Sequence, residues 1–494
     1  MISLVRAKCR AVPGPVWVIA IGFGAILVGT SGFYDYSGDE FYFLAIGKHL
    51  AWGYDDQPPL VPLLARGISE IFPNSPVFLR LPAAAFAVAG VVLAALLARE
   101  FGGSRRAQAL AAAAYVSSPL IWYQGSLLST ATIDTALIAL IAFLLVRWTR
   151  LRRDGALLIA GLVTAVALQV KYLVPIFWAA VLGALVLFGP REMLRRPMLW
   201  LGFGFAGTSS VPAVLWQSRH GWPQLEMTRA IAAEQDAYFG GQGLFPPFLF
   251  VLVGIVTGAA TAGFGLWTLL RSPRLRPYRF LGFVPLVLAA AIWLADGRPY
   301  YVAGVLPVLW AAAGVELERT GPERWLRPLF ATPVWVVSTL LGVVAFVPAY
   351  PGAVAELNPL TRTQMGWHEF AADIARQAHE LTRADGDVAV LARHYPHAAA
   401  LDHYREELAL PPVHSGGRSY WYFGAPSPQT RTVVAVGYDS AFLRAMFAEV
   451  VSAGMADNRY ENLVLGAQPV WICRDPARPW SELWPAFHTL RVVD

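Results

Sequence analysis

Apolar runs of roughly membrane length follow one another through the first two thirds of this chain, and few folds accommodate that pattern. They fall at about 15–32, 79–98, 107–122, 132–148, 155–171, 173–189, 198–215, 245–270, 280–295, 299–315 and 329–348. A helix of about 20 residues crosses the hydrocarbon layer, where each backbone N–H and C=O must be satisfied within its own segment. The stretch 155–189 is too long for one helix; Lys171 and Pro175 mark a break between two short spans meeting at one face. Only 15% of the residues are charged, against about 25% in an average soluble domain, and mean hydropathy is +0.48. The predicted fold class is a polytopic α-helical membrane protein with about 11 transmembrane helices.

The basic residues set the expected orientation, because short cytoplasmic loops are enriched in Arg and Lys. One set of connecting loops holds 20 of them, in clusters such as Arg6/Lys8/Arg10, Arg147/Arg150/Arg152/Arg153 and Arg271/Arg274/Arg276/Arg279. The alternate set holds 6: Lys48, Arg66, Lys171, Arg219, Arg229 and Arg298. The first set is therefore read as cytoplasmic. The net charge of +6 reflects this topology and not a nucleic-acid-binding face. The basic start followed by an apolar run, with no small-residue cleavage site, predicts a retained first helix. Cys9 and Cys473 fall on opposite sides of the membrane in this topology and cannot pair.

From about residue 349 polar residues return. Short β-rich runs at Val388–Ala392, Thr432–Val436 and Val470–Cys473 alternate with helical patterns at Trp367–Thr382 and Ser440–Ala453. That alternation predicts a C-terminal α/β domain. The organisation is thus a membrane domain at 1–348, with an outer loop at 33–78, and an extracytoplasmic domain at 349–494.

Chemistry-bearing residues gather at the outer ends of the helices. The stretch from Phe33 to Pro62 carries Asp35, Asp39, Glu40, Asp55 and Asp56 among tyrosines, a tryptophan and the Pro58-Pro59 pair. Solvated loop charge is one reading of the Asp39-Glu40 pair. The other is a general base, because a held carboxylate accepts the proton of an attacking hydroxyl. The prolines of Tyr54-Asp-Asp-Gln-Pro-Pro59 would fix Asp55, Asp56 and Gln57 in one orientation, as they would in an ordinary turn. Asp134 sits at the outer end of a span, where an ionisable group is costly and either functional or a helix cap. Lys171, at the junction of two short spans, suits a lipid phosphate or an interfacial contact. Around 216–244, Trp216, Arg219, His220 and Trp222 lie in a segment too polar to span. The histidine has no partner at metal-ligand spacing, so no metal site is expected.

Several stretches together resemble the GT-C superfamily of polyprenyl-phosphate-sugar-dependent glycosyltransferases. The likeness is to the group holding the lipid A aminoarabinose transferases and bacterial relatives of the protein O-mannosyltransferases. They are Gly38-Asp-Glu-Phe-Tyr42, Gly53-Tyr-Asp-Asp-Gln-Pro-Pro-Leu60, Ala131-Thr-Ile-Asp-Thr135, Val170-Lys-Tyr172, Leu215-Trp-Gln-Ser-Arg-His-Gly-Trp-Pro223 and Arg298-Pro-Tyr-Tyr301. In the tail, Tyr395–Tyr404 and Ser415–Gly424 read like the family's outer domain.

The resemblance implies a GT-C fold and inverting transfer of a sugar from a polyprenyl-phosphate donor to a hydroxyl of a lipid, glycan or protein. It implies Asp39 as catalytic base, with Glu40 as its companion and Asp134 as a second acidic site residue. Lys171 would lie near the carrier phosphate, and Tyr42, Tyr54, Asp55, Asp56, Gln57, Arg219 and Arg298 would contact substrate. Gln57 departs from relatives that often carry His or Lys before the proline, so a positive contact to the donor phosphate is either missing there or supplied by Arg219 or another basic residue, which leaves the precise donor open.

The implied chemistry is economical. A lipid phosphate leaves readily once its charge is neutralised, so one base suffices and no cofactor or metal is called for. The expected partners are the lipid-linked donor, the acceptor and membrane lipids, with no nucleic acid. The expected location is the cytoplasmic membrane of a bacterium, N-terminus inside. A lipid-sugar flippase is the alternative, but it needs polar groups near the mid-bilayer, and here they collect at helix ends. A third reading makes the C-terminal domain a binding module, with Trp367, Tyr420, Trp421 or Tyr422 stacking on sugars.

Overall fold

A computed structural model describes residues 12–322, 324, 327–347, 358–456, 459–462 and 464–492. Arg6, Lys8, Cys9, Arg10 and the expected domain boundary at 348/349 lie outside the described residues.

The predicted apolar runs are helical. They form α1 (Gly14–Thr30), α4 (Pro76–Glu100), α5 (Arg105–Val116), α6 (Pro119–Ser126), α7 (Thr130–Leu151), α8 (Gly155–Leu168), α9 (Val174–Phe188) and α10 (Pro197–Arg219). After α11 (Pro223–Phe239) come α12 (Gly241–Gly254), α13 (Thr257–Arg271), α14 (Phe280–Leu294), α15 (Leu306–Thr320) and α16 (Thr332–Phe346). The first loop contributes α2 (Gly38–Lys48) and α3 (Leu60–Ile71). Among the described residues five helices are long and apolar enough to cross a membrane, and the bent α11–α12 pair makes a sixth. Four more apolar helices are shorter, α8 and α9 among them, as the break at Lys171 required.

Two expected spans are not continuous. The run at 107–122 divides at Ser117-Ser118, before Pro119 at the start of α6, because proline has no N–H to continue the ladder. The run at 245–270 breaks between α12 and α13, where Gly254 and Ile255 have φ of 151° and 50°. Elsewhere small residues bring helices together. A Cβ on Gly161 of α8 would lie 2.2 Å from the Gly202 Cα of α10, so these backbones touch as membrane helices with small residues do.

The bundle has two unlike ends. At one, Glu100 takes Arg147 and Arg150 at 3.0 and 2.5 Å, and Arg152 pairs with Glu192. At the other lie α2, α3 and a five-stranded sheet domain. Its strands are β1 (Val388–Ala392), β2 (Val413–Ser415), β3 (Thr432–Val436), β4 (Phe447–Ala456) and β5 (Gln468–Pro476), in the order β2-β1-β3-β5-β4. The β2, β1 and β3 strands run parallel, and β5 lies antiparallel to both β3 and β4.

Both faces of β1 and β3 are buried, which is why these strands read as unbroken apolar runs. Val388, Val390 and Val434 share one core with Phe370 and Ile374 of α18 (Trp367–Asp385). Ala389, Leu391 and Val433 share another with Trp480 and Leu483 of α21 (Trp480–Phe487). The helix expected at 440–453 stops early. After α20 (Ser440–Met446) the chain turns extended, because β4 pairs along β5 and edge-strand hydrogen bonds replace the helical ones.

One buried ion pair fixes the first loop on the bundle. Arg80, inside the second predicted span, reaches Glu40 with Nε to Oε1 at 3.0 Å and Nη2 to Oε2 at 2.7 Å. Its remaining protons go to the carbonyls of Ser31 and Asp35 at 2.6 and 2.7 Å. Glu40 also accepts the backbone N–H groups of Ser37 and Leu128, closing a capping box with Ser37. Both partners are essentially inaccessible, at 1% and 0% side-chain exposure. Breaking one half leaves an uncompensated buried charge, which costs about 3–5 kcal/mol. In SDS-induced unfolding, Arg80→Met should therefore show a loss of that order. The double variant Arg80→Met/Glu40→Gln should recover part of it, because no charge is then stranded.

Candidate active site

Asp39 occupies the first turn of α2, whose N-cap Ser37 turns the chain sharply after α1. The carboxylate is exposed at the mouth of the bundle, while its neighbours Gly38 and Glu40 are buried. Among the described residues its one hydrogen bond comes from the Tyr395 hydroxyl, at 2.8 Å to Oδ1. Tyr395 opens α19 (Tyr395–His403) of the sheet domain, 356 residues away in sequence. Burial holds the Tyr395 phenol far above its ordinary pKa, so this hydroxyl is a donor.

A chain of charges leads from Tyr395 back into the membrane domain. The guanidinium of Arg418 lies 4.4 Å from the centre of the Tyr395 ring. It donates to Asp56 at 3.2 Å and to Glu234 at 2.9 Å. Glu234 accepts in turn from Arg298 at 2.6 Å, and Asp56 accepts from Tyr42 at 3.3 Å. Arg298, Tyr300 and Asp39 all lie within electrostatic reach of Tyr123, which places the mouth of the bundle between them.

Lys171 stands on the same side, half-buried, its ammonium 4.2 and 5.2 Å from the ring centres of Tyr301 and Tyr300. Among the described residues no carboxylate pairs with it at salt-bridge distance. Asp134 lies within its electrostatic reach and is buried, with Oδ1 unpartnered. Beside them, Tyr172 interacts with Gln217 and Asp56. Asp39, Arg298, Lys171 and Asp134 thus do converge, from four separate parts of the chain.

Other expected contacts prove structural. Glu40, expected as a second catalytic acid, has both oxygens taken up by Arg80 and two backbone N–H groups; it holds α2 in place. Tyr54 is buried, and its hydroxyl is spent on the carbonyls of Ile46 and His49 and the Ala51 N–H. Asp55 is inaccessible and bonded to Tyr422 at 2.9 Å and His488 at 3.3 Å, while its own N–H donates to Ser419 at 2.8 Å. It ties the loop to the sheet domain and faces no open space. Gln57 is buried with its amide nitrogen unpartnered. Arg219 is exposed at the end of α10 and has no ion-pair partner among the described residues, so nothing joins it to this network. Trp367 and Tyr420 are core residues, Trp421 packs within the sheet domain against Trp484, and Tyr422 reaches the loop through Asp55.

Arg80, Glu234, Tyr395 and Arg418 were not singled out by residue-level reasoning. Arg80 had a signal, as a charge inside an apolar run needs a buried partner. Tyr395 and Arg418 lie in tail segments noted for their resemblance, but no local pattern connects them to Asp39.

Burial pushes the Asp56 carboxyl up to about 6, against the opposing pull of Arg418. Its folded pKa therefore exceeds the unfolded value of about 3.9. Asp56's contribution to stability is then fully present below about pH 4 and lost as pH rises through about 6. Measured as melting temperature in detergent, the difference between Asp56→Asn and the parent protein should shift in favour of the variant between pH 4.5 and 7.5.

With this geometry in view, the similarities are specific to the fold. Residues 56–216 match the family described as dolichyl-phosphate-mannose-protein mannosyltransferase. ArnT from Cupriavidus metallidurans in the apo state aligns over 93% of this chain and 98% of its own, with 16% identity and a TM-score of 0.62. The same protein bound to undecaprenyl phosphate aligns over the same shares, with 17% identity and a TM-score of 0.58. No curated protein matches the sequence.

Proposed function

We propose that this chain, a membrane protein with the GT-C fold, is an inverting glycosyltransferase that takes a sugar from a polyprenyl-phosphate donor. The observation that carries the reading is the placement of one exposed carboxylate, Asp39, and one ammonium without a salt-bridge partner among the described residues, Lys171, around the same tyrosines: Asp39 and Tyr300 both act on Tyr123, and Lys171 lies over Tyr300 and Tyr301. The binding of undecaprenyl phosphate by a protein of the same fold supports the choice of lipid carrier.

The chemistry follows from the arrangement. The acceptor hydroxyl attacks the anomeric carbon from the face opposite the carrier, and Asp39 takes its proton. The bond between that carbon and the phosphate oxygen breaks, and the electron pair leaves with the lipid phosphate. Lys171 stabilises the charge that grows there. Arg298 stands behind it, partly committed to Glu234. Asp134 lies within electrostatic reach of Lys171, without a hydrogen bond among the described residues that would compete with phosphate. Arg418 supplies positive charge beside Asp56, adjacent to the position where Gln57 replaces a basic residue. Donor and product are lipids, so the site belongs at a membrane surface. The arginine-rich opposite end of the bundle supports an outward-facing site on the cytoplasmic membrane, with the sheet domain on that side.

A flippase reading is less well supported, because the converging groups lie at a helix mouth and not across a central cavity. The test is a deletion strain whose envelope glycolipids and glycans are compared by mass spectrometry with the parent. One glycosylated product should vanish and return with the native gene. Asp39→Asn should insert into the membrane normally and restore less than about 1% of that product, losing a general base worth 10²–10⁴-fold. Full restoration by Asp39→Asn would remove the carboxylate from the mechanism.

A further inference from the structure

Resting on the reading of Asp39 as base, we infer that Tyr395 of the sheet domain is a positioning residue for that base. The domain therefore completes the active site across the domain contact. The argument begins with what Asp39 lacks. An exposed aspartate in the first turn of a short helix is free to rotate about both side-chain bonds, and a freely rotating base loses the benefit of proximity. Here one oxygen is tied. The Tyr395 hydroxyl donates to Oδ1 at 2.8 Å, and no other hydrogen bond to Asp39 is present among the described residues. Oδ2 is left for the acceptor's proton.

The tyrosine itself cannot drift. Its side chain is buried, and its ring lies 4.5 Å from that of Tyr42 on the face of α2 next to Asp39. Arg418 covers it at 4.4 Å. That guanidinium is in turn clamped between Asp56 of the first loop and Glu234 of α11. A cation over the ring draws electron density from the phenol and makes its O–H a better donor. The domain is also docked around this point: Pro396 lies close above Gly38, where a Cβ would come within 2.9 Å, and Trp367 meets Phe41 at 5.7 Å. Substituting Gly38 would push α19 away and lengthen the Tyr395–Asp39 bond.

Loss of this hydrogen bond has two consequences that a merely structural tyrosine would not produce. Oδ1 loses its donor, and the carboxylate samples rotamers that do not face the acceptor. The Tyr395→Phe variant keeps the ring, the Arg418 contact and the packing, and removes only the donor.

The experiment uses the full chain in nanodiscs. Infrared spectra are recorded at neutral pH, and the Asp39 carboxylate bands are isolated by subtracting the Asp39→Asn protein. In Tyr395→Phe the splitting between the antisymmetric and symmetric carboxylate stretches should change, because one oxygen has lost its charge-assisted hydrogen bond. In Tyr42→Phe, whose hydroxyl serves Asp56, it should not change. In the complementation strain, Tyr395→Phe should restore the product at about a tenth to a hundredth of the native level, with a melting temperature close to native. A splitting unchanged in Tyr395→Phe, or full complementation by it while Asp39→Asn is inert, overturns the positioning role alone. Complementation by Asp39→Asn overturns the base assignment, and this inference with it.

Discussion

The site depends first on the buried pair between Glu40 and Arg80. Arg80 rises from α4 into the turn after α1 and collects the Ser31 and Asp35 carbonyls together with the Glu40 carboxylate. Glu40 adds the N–H groups of Ser37 and Leu128. A single ion pair therefore ties the end of α1, the start of α2, the top of α4 and the link into α7. In so apolar an environment, the pair persists because every proton and lone pair of consequence is matched. With α2 fixed, the residue just before Glu40 has no choice of address: Asp39 faces the open mouth. The catalytic candidate is thus placed by the rigidity of its neighbour.

The second constraint is the clamp between the first loop and the sheet domain. Asp35, Asp39, Asp55 and Asp56 each meet a residue of the C-terminal domain: Tyr404, Tyr395, Tyr422 and Arg418 respectively. Lys48 adds an exposed pair with Asp402, which contributes little by itself. The acids that make this loop conspicuous are therefore mostly contact residues. They hold the sheet domain against the end of the helical bundle, and Asp39 is the most exposed of them.

Much of this was legible in the residues. The apolar runs, the arginine clusters and the continuous valine-rich strands each follow from local hydrophobicity, and they gave the helices, the two ends and β1 and β3. Asp39, Asp134 and Lys171 stood out because ionisable groups beside apolar runs are costly unless used. The misreadings share one cause. Glu40, Tyr54 and Asp55 carry the same chemistry as a catalytic residue. What separates them from Asp39 is whether a partner far along the chain has already taken their lone pairs. The break at Gly254–Ile255 and the early end of α20 were likewise decided by neighbours and not by local preference.

The sequence by itself determined that this chain is a helical membrane protein with a small α/β domain, and it marked the acid-rich first loop. Those properties depend on hydrophobicity and charge summed over tens of residues, which any linear reading can follow. Only the tertiary structure decided which of five acids stays exposed, and that Tyr395, with Arg418 over its ring, stands beside it. Those facts rest on hydrogen bonds a few ångströms long between residues more than 350 positions apart. Such contacts exist only after the helices have packed and the sheet domain has closed over them.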